Sequence, residues 1–393
     1  MSIRNKKRGR IAFVYHPRYP KFAPLQSTAF AKNVLDCLTA EGWELDLYLW
    51  EDPDVAYEAG AEGRLVVIHV SEPPFRHIRL KTAWERHWAS FAPKHFNYEL
   101  VVGVGQRGCI DAAKLASRCN CPFIYLNDEF PSSFGKDELA VAEKKASKNC
   151  ALFVIPDGCR EGQLRMELGL RAEQPCVTMP NGPMQVPIMG NPERLLEQLG
   201  VKPSEKIALH AGTISDWSQI PELLSTLPLW PEDVPMVLHA KNRENLEYLT
   251  RLKHMTGRGR LIVSELTLDE PCLHAVLAAS LCSFALYREI GINDRLMGFS
   301  SGKLCRSIVL GTPVIASRGI ACEFVEKEEL GCLVEHPLEI PVAINRIKAN
   351  RERYSTNCKR FVSEKLNIKM YFQNLAAELK RVTSLDLFQT GIK

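Results

Sequence analysis

The sequence predicts an α/β protein: two doubly wound parallel-sheet domains facing a cleft, followed by a C-terminal helix. Three observations carry that expectation. Short apolar runs alternate with helix-period segments along most of the 393 residues. A stretch dense in Pro, Gly and Asn, PCVTMPNGPMQVP over residues 175–187, divides the alternation into two successive series. Glycines mark the passage from an apolar run into a helical pattern in both halves, as GVGQRG in the first and HAG in the second.

The first series opens with IAFVY after Arg10 and a Pro-rich basic loop, HPRYPKF. A helical pattern over residues 27–41 ends at Gly42, and ELDLYLW alternates like a strand. LVVIHV at residues 65–70 and the run beginning at Tyr98 read as further strands, the latter followed by a turn over 103–108 and a helix from Ile110. Gly103, Gly105 and Gly108 satisfy GxGxxG. The dinucleotide fingerprint belongs after the first strand of its domain, and here it follows roughly ninety residues later, which argues against a nicotinamide site. PFIYLNDEF, a helix over 135–148, and the strand, loop and helix of ALFVIPDGCREGQLRMELGL complete the series.

Beyond the linker, KIALHAG, VPMVLHA, RLIVSEL and CSFALY read as strands. QIPELLSTL, ENLEYLTRL and CLHAVLAAS read as the helices between them. FSSGKLCRSIVLGTPVIAS at residues 299–317 then offers a helix start and a buried strand. Ser300 or Ser301 caps that helix, leaving first-turn N–H groups at the positive end of its dipole. Lys303 in the first turn has the wrong charge for that dipole, so solvent or an anion such as phosphate must offset it. In KLNIKMYFQNLAAELKRV, residues 365–382, Leu366, Met370, Leu375 and Leu379 approximate one helical face. The last eleven residues, TSLDLFQTGIK, read as a loose tail.

Composition narrows the class further. No apolar run has the roughly 18 residues a spanning helix needs, and no signal-peptide core follows the basic MSIRNKKRGR. Thirteen cysteines contain no CxxC pair, which fits free thiols and indicates neither a zinc ribbon nor a disulfide framework. The expectation is a cytoplasmic protein. A net charge of +4 is too mild to imply nucleic acid as a partner.

These stretches resemble the GT-B-fold glycosyltransferases, in particular the nucleotide-sugar-dependent family-four (group 1) enzymes. LHAGTISDWSQIPELL is similar to that family's first C-domain strand and glycine loop, and SSGKLCRSIVLGTPVIAS to its Ser-x-Lys-Leu helix followed by Gly-x-Pro-Val-Ile. MPNGP resembles its interdomain linker. The resemblance implies an acceptor domain over residues 1–180, a donor domain over 181–364, and a crossover helix and tail over 365–393 that returns to the N-terminal domain. It implies transfer of a sugar from a nucleotide-diphosphate sugar to a glycan or lipid-linked acceptor, as in surface polysaccharide or glycoconjugate synthesis. The nucleotide-sugar is then a co-substrate, and no cofactor or essential metal is expected. One departure stands out: many members hold ribose with a Glu in the helix after Lys-Leu, where this chain has Arg306, and Glu289 is followed eight positions later by Met297.

Donor-phosphate candidates under this resemblance are Gly212, Thr213, Lys241, Arg288, Ser300, Ser301 and Lys303, with Glu323 placed for the donor sugar or ribose. Gly212 allows close backbone approach, and Lys303 and Arg288 supply charge. Lys241 and Arg288 read equally as solvated loop cations, and Glu323 as a surface carboxylate. For a catalytic base, Asp128 and Glu129 follow an apolar strand and so fall at its carboxyl end; helix capping or an arginine partner is the alternative. His16, after the first strand, is second choice, against an ordinary loop histidine. Residues 73–96 interleave Arg, Lys and His with Trp and Phe, a pattern that suits nucleic acid or an anionic membrane surface; within the sugar-transferase reading it suits a peripheral contact with the inner membrane surface or a polyprenyl-phosphate acceptor, or else aromatics in a core. A nucleotide-sugar 2-epimerase-like isomerase and a catalytically silent nucleotide-sugar-binding protein are the alternative functions.

Overall fold

The computed structural model describes residues 9–16, 25, 28–50, 65–70, 97–131, 138–184, 186, 188, 190–214, 216–240, 260–264 and 268–388. The chain divides into two compact units, residues 1–180 with 368–393, and residues 181–367.

The first unit is built on a seven-stranded parallel sheet in the order β3-β2-β1-β4-β5-β6-β7. Its strands are β1 (Arg10–Tyr15), β2 (Glu44–Leu49), β3 (Leu65–His69), β4 (Tyr98–Val104), β5 (Phe123–Leu126), β6 (Leu152–Ile155) and β7 (Cys176–Thr178). Phe13 pairs with Leu47 on one side and Val102 on the other, so the strand order reverses between β1 and β4. β5 and β6 are buried at every position, which is why they read as unbroken apolar runs. Helices α1 (Ala29–Ala40), α2 (Gly105–Cys119), α3 (Glu138–Ser147) and α4 (Glu161–Leu168) separate the strands.

The expected turn over 103–108 is instead the end of β4 and the first turn of α2. The glycines serve close packing at the reversal. A Cβ on Gly103 would lie 2.6 Å from that of Ala112, and one on Gly108 would lie 2.9 Å from the Val14 carbonyl. Gly108 N–H donates to the His16 carbonyl at 3.1 Å, joining the helix start to the end of β1.

The second unit carries a six-stranded parallel sheet in the order β10-β9-β8-β11-β12-β13, reversing between β8 and β11. These strands are β8 (Ala208–Gly212), β9 (Met236–Ala240), β10 (Leu261–Ser264), β11 (Cys282–Ala285), β12 (Val314–Ser317) and β13 (Gly331–Val334). Between them lie α5 (Pro192–Gln198, ahead of β8), α6 (Ile220–Ser225), α7 (Glu270–Ala279), α8 (Ile292–Arg295), α9 (Gly302–Val309) and α10 (Phe324–Lys327). The expected helix ENLEYLTRL lies outside the described residues. The strand β13 and the helices α11 (Ile340–Ala349) and α12 (Arg351–Glu364), in a stretch that carried no sequence expectation, complete the unit.

Helix α13 (Ile368–Thr383) packs against β6, β7 and α1 of the first unit. Its buried face is Ile368, Phe372, Leu375, Ala376 and Leu379. Met370 is half exposed and Leu366 precedes the helix, so the expected stripe was out of phase at its N-terminal end. The tail is not loose where it is described. Leu387 is fully buried, its carbonyl accepts from Trp43 Nε1 at 3.1 Å, and Phe388 meets Phe372 edge to face. Among the described residues no helix is long and apolar enough to cross a membrane.

Candidate functional site

Open parallel sheets bind ligands at the carboxyl ends of their strands, where the order reverses. In the second unit that place is the end of β8, the end of β11 and the start of α9. Ser301 caps α9, its Oγ accepting from Leu304 N–H at 3.1 Å, and sits 2.5 Å from the Tyr287 hydroxyl. Asn181 fixes the approach to the helix from the linker: its N–H donates to the Phe299 carbonyl at 2.8 Å and its side chain to the Ser300 carbonyl at 3.0 Å.

Lys303 folds back from the first turn of α9 against Gly212. Gly212 has φ +151, and a Cβ there would lie 2.9 Å from Lys303 Cδ, so the lysine stem occupies the space a side chain would fill. Lys303 Nζ stands 4.8 Å from the centre of the Tyr287 ring and 5.2 Å from that of Trp217, two rings stacked 2° from parallel. The ammonium is shut off from solvent and has no hydrogen-bond partner among the described residues. Burial draws its pKa down to about 8. Burial, then the Lys303 charge, holds neighbouring His210 neutral, down to about 3.

The structure thus brings Gly212, Ser301 and Lys303 together, whereas the Ser300 hydroxyl donates back to the Leu296 carbonyl at 3.1 Å. Thr213 follows Gly212 with its side chain exposed. Arg288 is exposed and paired with Glu222, while its backbone N–H donates to the Trp217 carbonyl at 2.7 Å. Glu323 is exposed at the start of α10. Lys241 and residues 73–96 lie outside the described residues. Sequence reasoning missed Trp217 and Tyr287. Aromatics after a strand or in a short loop look like core, and their pairing across seventy positions has no local signature.

In the first unit, the reversal places His16 after β1 and Asn127, Asp128 and Glu129 after β5. His16 is fully buried, stacked on Trp50 at 4.2 Å and 5°, with Nδ1 2.9 Å from an Asp111 carboxylate oxygen on α2. A carboxylate accepts, so Nδ1 carries the proton and Nε2 is the basic nitrogen. Asp128 is half-buried, with burial raising its pKa, and its carbonyl accepts from buried Arg160 at 2.9 Å. Glu129 is exposed, and its carbonyl accepts from Asn127 Nδ2 at 3.0 Å. Asn127 also donates to Tyr125 Oη at 2.9 Å, and Tyr125 to Glu143 at 2.6 Å, so the acidic loop is anchored to a buried carboxylate on α3. Glu143 accepts a second bond from Gln106 at 2.7 Å, and burial lifts its pKa to about 7. Asp111 and Glu143 escaped notice in the sequence because single carboxylates in helical patterns read as solvated faces.

No protein-family model and no curated protein matches the sequence. Solved structures do. HepE of Anabaena, in complex with UDP and glucose, superposes with a TM-score of 0.70 at 16% identity, covering 95% of this chain and 100% of that one. Sucrose-phosphate synthase of Thermosynechococcus elongatus gives 0.72 at 17% identity, covering 96% and 100%. WaaG, a glycosyltransferase involved in lipopolysaccharide biosynthesis, gives 0.62 at 12% identity, covering 95% and 100%. The chain has the GT-B fold. That likeness covers 95–96% of this chain in the structures named. At identities this low it carries the architecture, and the chemistry has to be argued from the residues.

Proposed function

We propose that the protein transfers a sugar, of hexose type, from a nucleotide-diphosphate sugar to a glycan or lipid-linked acceptor, as in surface polysaccharide or glycoconjugate synthesis. The observation that carries the proposal is Lys303: a solvent-shielded ammonium without a hydrogen-bond acceptor among the described residues, behind Gly212 and at the capped start of α9. A buried cationic donor without an acceptor costs on the order of 1–3 kcal/mol, and a diphosphate oxygen removes that cost. The complexes of HepE with UDP, and with UDP and glucose, support the same ligand class here.

In the transfer, the bond from the sugar's anomeric carbon to the diphosphate oxygen breaks, a bond to the acceptor oxygen forms, and the acceptor proton goes to a base. Charge gathers on the departing diphosphate, where Lys303 and the first-turn N–H groups of α9 offset it. Of the first unit's candidates, Glu129 is the proposed base because its carboxylate is the exposed one. Asp128, and His16 held by Asp111 and Trp50, are given positioning roles because they are half-buried and fully buried respectively. No cofactor or metal enters the proposal.

The test is a panel of nucleotide-sugars, with nucleotide release followed with and without oligosaccharide or lipid-phosphate acceptors. Acceptor-dependent release supports transfer. Sugar interconversion without release identifies an isomerase instead, and thermal stabilisation without turnover a binding protein. Lys303→Ala should weaken nucleoside-diphosphate binding roughly tenfold to a hundredfold and leave nucleoside binding nearly unchanged, since one charge-assisted contact is lost. Equal small losses for both ligands would remove Lys303 from the phosphate site.

A further inference from the structure

Three side chains of the first unit form a hydrogen-bonded chain that runs in one direction. Asn127 Nδ2 donates to Tyr125 Oη at 2.9 Å, and Tyr125 Oη donates to Glu143 Oε1 at 2.6 Å. Gln106 Nε2, in the first turn of α2, donates to the other carboxylate oxygen at 2.7 Å. All four residues are buried. Because the chain ends on a carboxylate that accepts from both sides, the Tyr125 proton is committed to Glu143 and Tyr125 keeps a lone pair for Asn127. Asn127 in turn supports the loop after β5: its backbone N–H donates to the Val154 carbonyl at 2.9 Å and its Nδ2 to the Glu129 carbonyl at 3.0 Å. In the same loop the Asp128 carbonyl accepts from Arg160, whose guanidinium lies 4.3 Å from the centre of the Phe130 ring. A carboxylate is a costly acceptor at this depth. A glutamine would fill the same volume and still accept from Tyr125, without the penalty that burial places on a charge. What the charge adds is strength, since a bond to an ionised acceptor is roughly twice as strong as a neutral one. The bond it strengthens is the one that leads to the acidic loop.

We propose that Glu143 is a positioning residue: its charge tightens the Tyr125 bond, Tyr125 fixes Asn127, and Asn127 holds the loop that carries Asp128 and Glu129 at the carboxyl end of β5. Protonation of Glu143 turns the charge-assisted bond into a neutral one and loosens the loop, and burial sets that step near pH 7. Facing Glu143 are Tyr125 from β5, Cys109 from α2, Glu167 from α4 and Asp128 from the loop. Burial raises Tyr125 and Cys109 well above their ordinary values, so both stay protonated between pH 6 and 8, while the charges of Glu167 and Asp128 oppose ionisation of Glu143. The inference rests on the transferase reading in taking Glu129 for the base; the hold on the loop is a property of the free protein and is measured without substrate.

The experiment is hydrogen exchange of the full chain, read on the peptide covering residues 127–131 and corrected for the intrinsic rate at each pH. Protection in the native protein should rise roughly fivefold from pH 6 to pH 8, the difference between a neutral and a charge-assisted bond. Glu143→Gln should hold protection at the pH 6 level throughout, yet raise the melting temperature at pH 8. A residue that only supports the scaffold would move both readouts the same way, so their opposition marks positioning. Tyr125→Phe should loosen the loop at both pH values, and adding Glu143→Gln to it should change nothing further there. Either single variant carries the test if the other does not fold. Loop protection in Glu143→Gln equal to the native value at pH 8 overturns the proposal. So does a pH dependence that survives Tyr125→Phe, which then belongs to another group such as Asp128. With nucleotide-sugar and acceptor present, kcat of Glu143→Gln should lose its rise between pH 6 and 8 while the donor KM stays unchanged. Exchange that follows this pattern without turnover leaves the positioning role standing and removes the transferase reading. Turnover with loop exchange indifferent to both substitutions does the reverse.

Discussion

Lys303 owes its properties to three neighbours that the chain brings from elsewhere: Gly212 behind its stem and the Trp217–Tyr287 pair beside its ammonium. Its lysine pKa, drawn from 10.5 to about 8 by burial, gives the protein two opposite pH dependences. For anion binding the charged form is needed, so affinity is present below about pH 8 and is lost as pH rises through it. Nucleoside-diphosphate affinity at fixed ionic strength should fall about tenfold between pH 7 and 9 in the native protein, and stay flat in Lys303→Met, as calorimetry would show. For folding without ligand the sign reverses. The unfolded chain binds the extra proton between about 8 and 10.5, so this group favours the fold progressively as pH rises across that window. Ser301, Gly212 and Lys303 were legible in the sequence because caps, turns and first-turn charges are local. Trp217 and Tyr287 were not, because their meeting depends on the path between them.

At the scale of elements, α3 shows what a helical pattern conceals. ELAVAEKKAS reads as a helix with its charges in water, yet Glu143 is 1% exposed and bonded to Tyr125 on β5 and Gln106 on α2. Burial is the main cause of its raised pKa. The Tyr125 and Gln106 bonds work against burial, and the charges of Glu167 and Asp128 add to it. A carboxyl whose folded value lies near 7, against 4.5 unfolded, stabilises while protonated and loses that contribution as pH rises from about 4.5 through 7. Glu143→Gln, which keeps the volume without the charge, should therefore flatten the fall in melting temperature across pH 5–8. It should exceed the native protein in stability at pH 8 by up to roughly 3 kcal/mol. Melting curves over that range check it, and parallel pH profiles for the two proteins would show that Glu143 titrates normally. Because Tyr125 also holds Asn127, the same substitution reports on the loop that carries Asp128 and Glu129.

For the whole molecule, the informative feature is the return of the chain to its first unit. Residues 368–388 add α13 and an ordered tail to a unit otherwise made from the first 180 residues. Leu387→Ala removes a fully buried side chain beside the Trp43 contact and should cost the first unit about 2–3 kcal/mol in urea denaturation. A change within a few tenths of a kcal/mol would mean that the tail contributes little to that unit. The sequence reading of the tail as loose failed over residues 383–388 because an isolated Leu or Phe near an end has no periodic partner to mark it as core.

The sequence by itself determined the alternation of strands and helices, the two parallel sheets and the capped, lysine-bearing helix after Phe299. All of these rest on periodicity, turn chemistry and capping, which act over a few residues. Only the tertiary structure decided that Gly103 and Gly108 serve close packing, that His16 is buried against Trp50 and Asp111, and that the Lys303 ammonium is shielded beside Trp217 and Tyr287. Those facts depend on which distant segments the sheet order makes neighbours. The solvent exclusion that shifts a pKa or strands a donor exists only once they have packed.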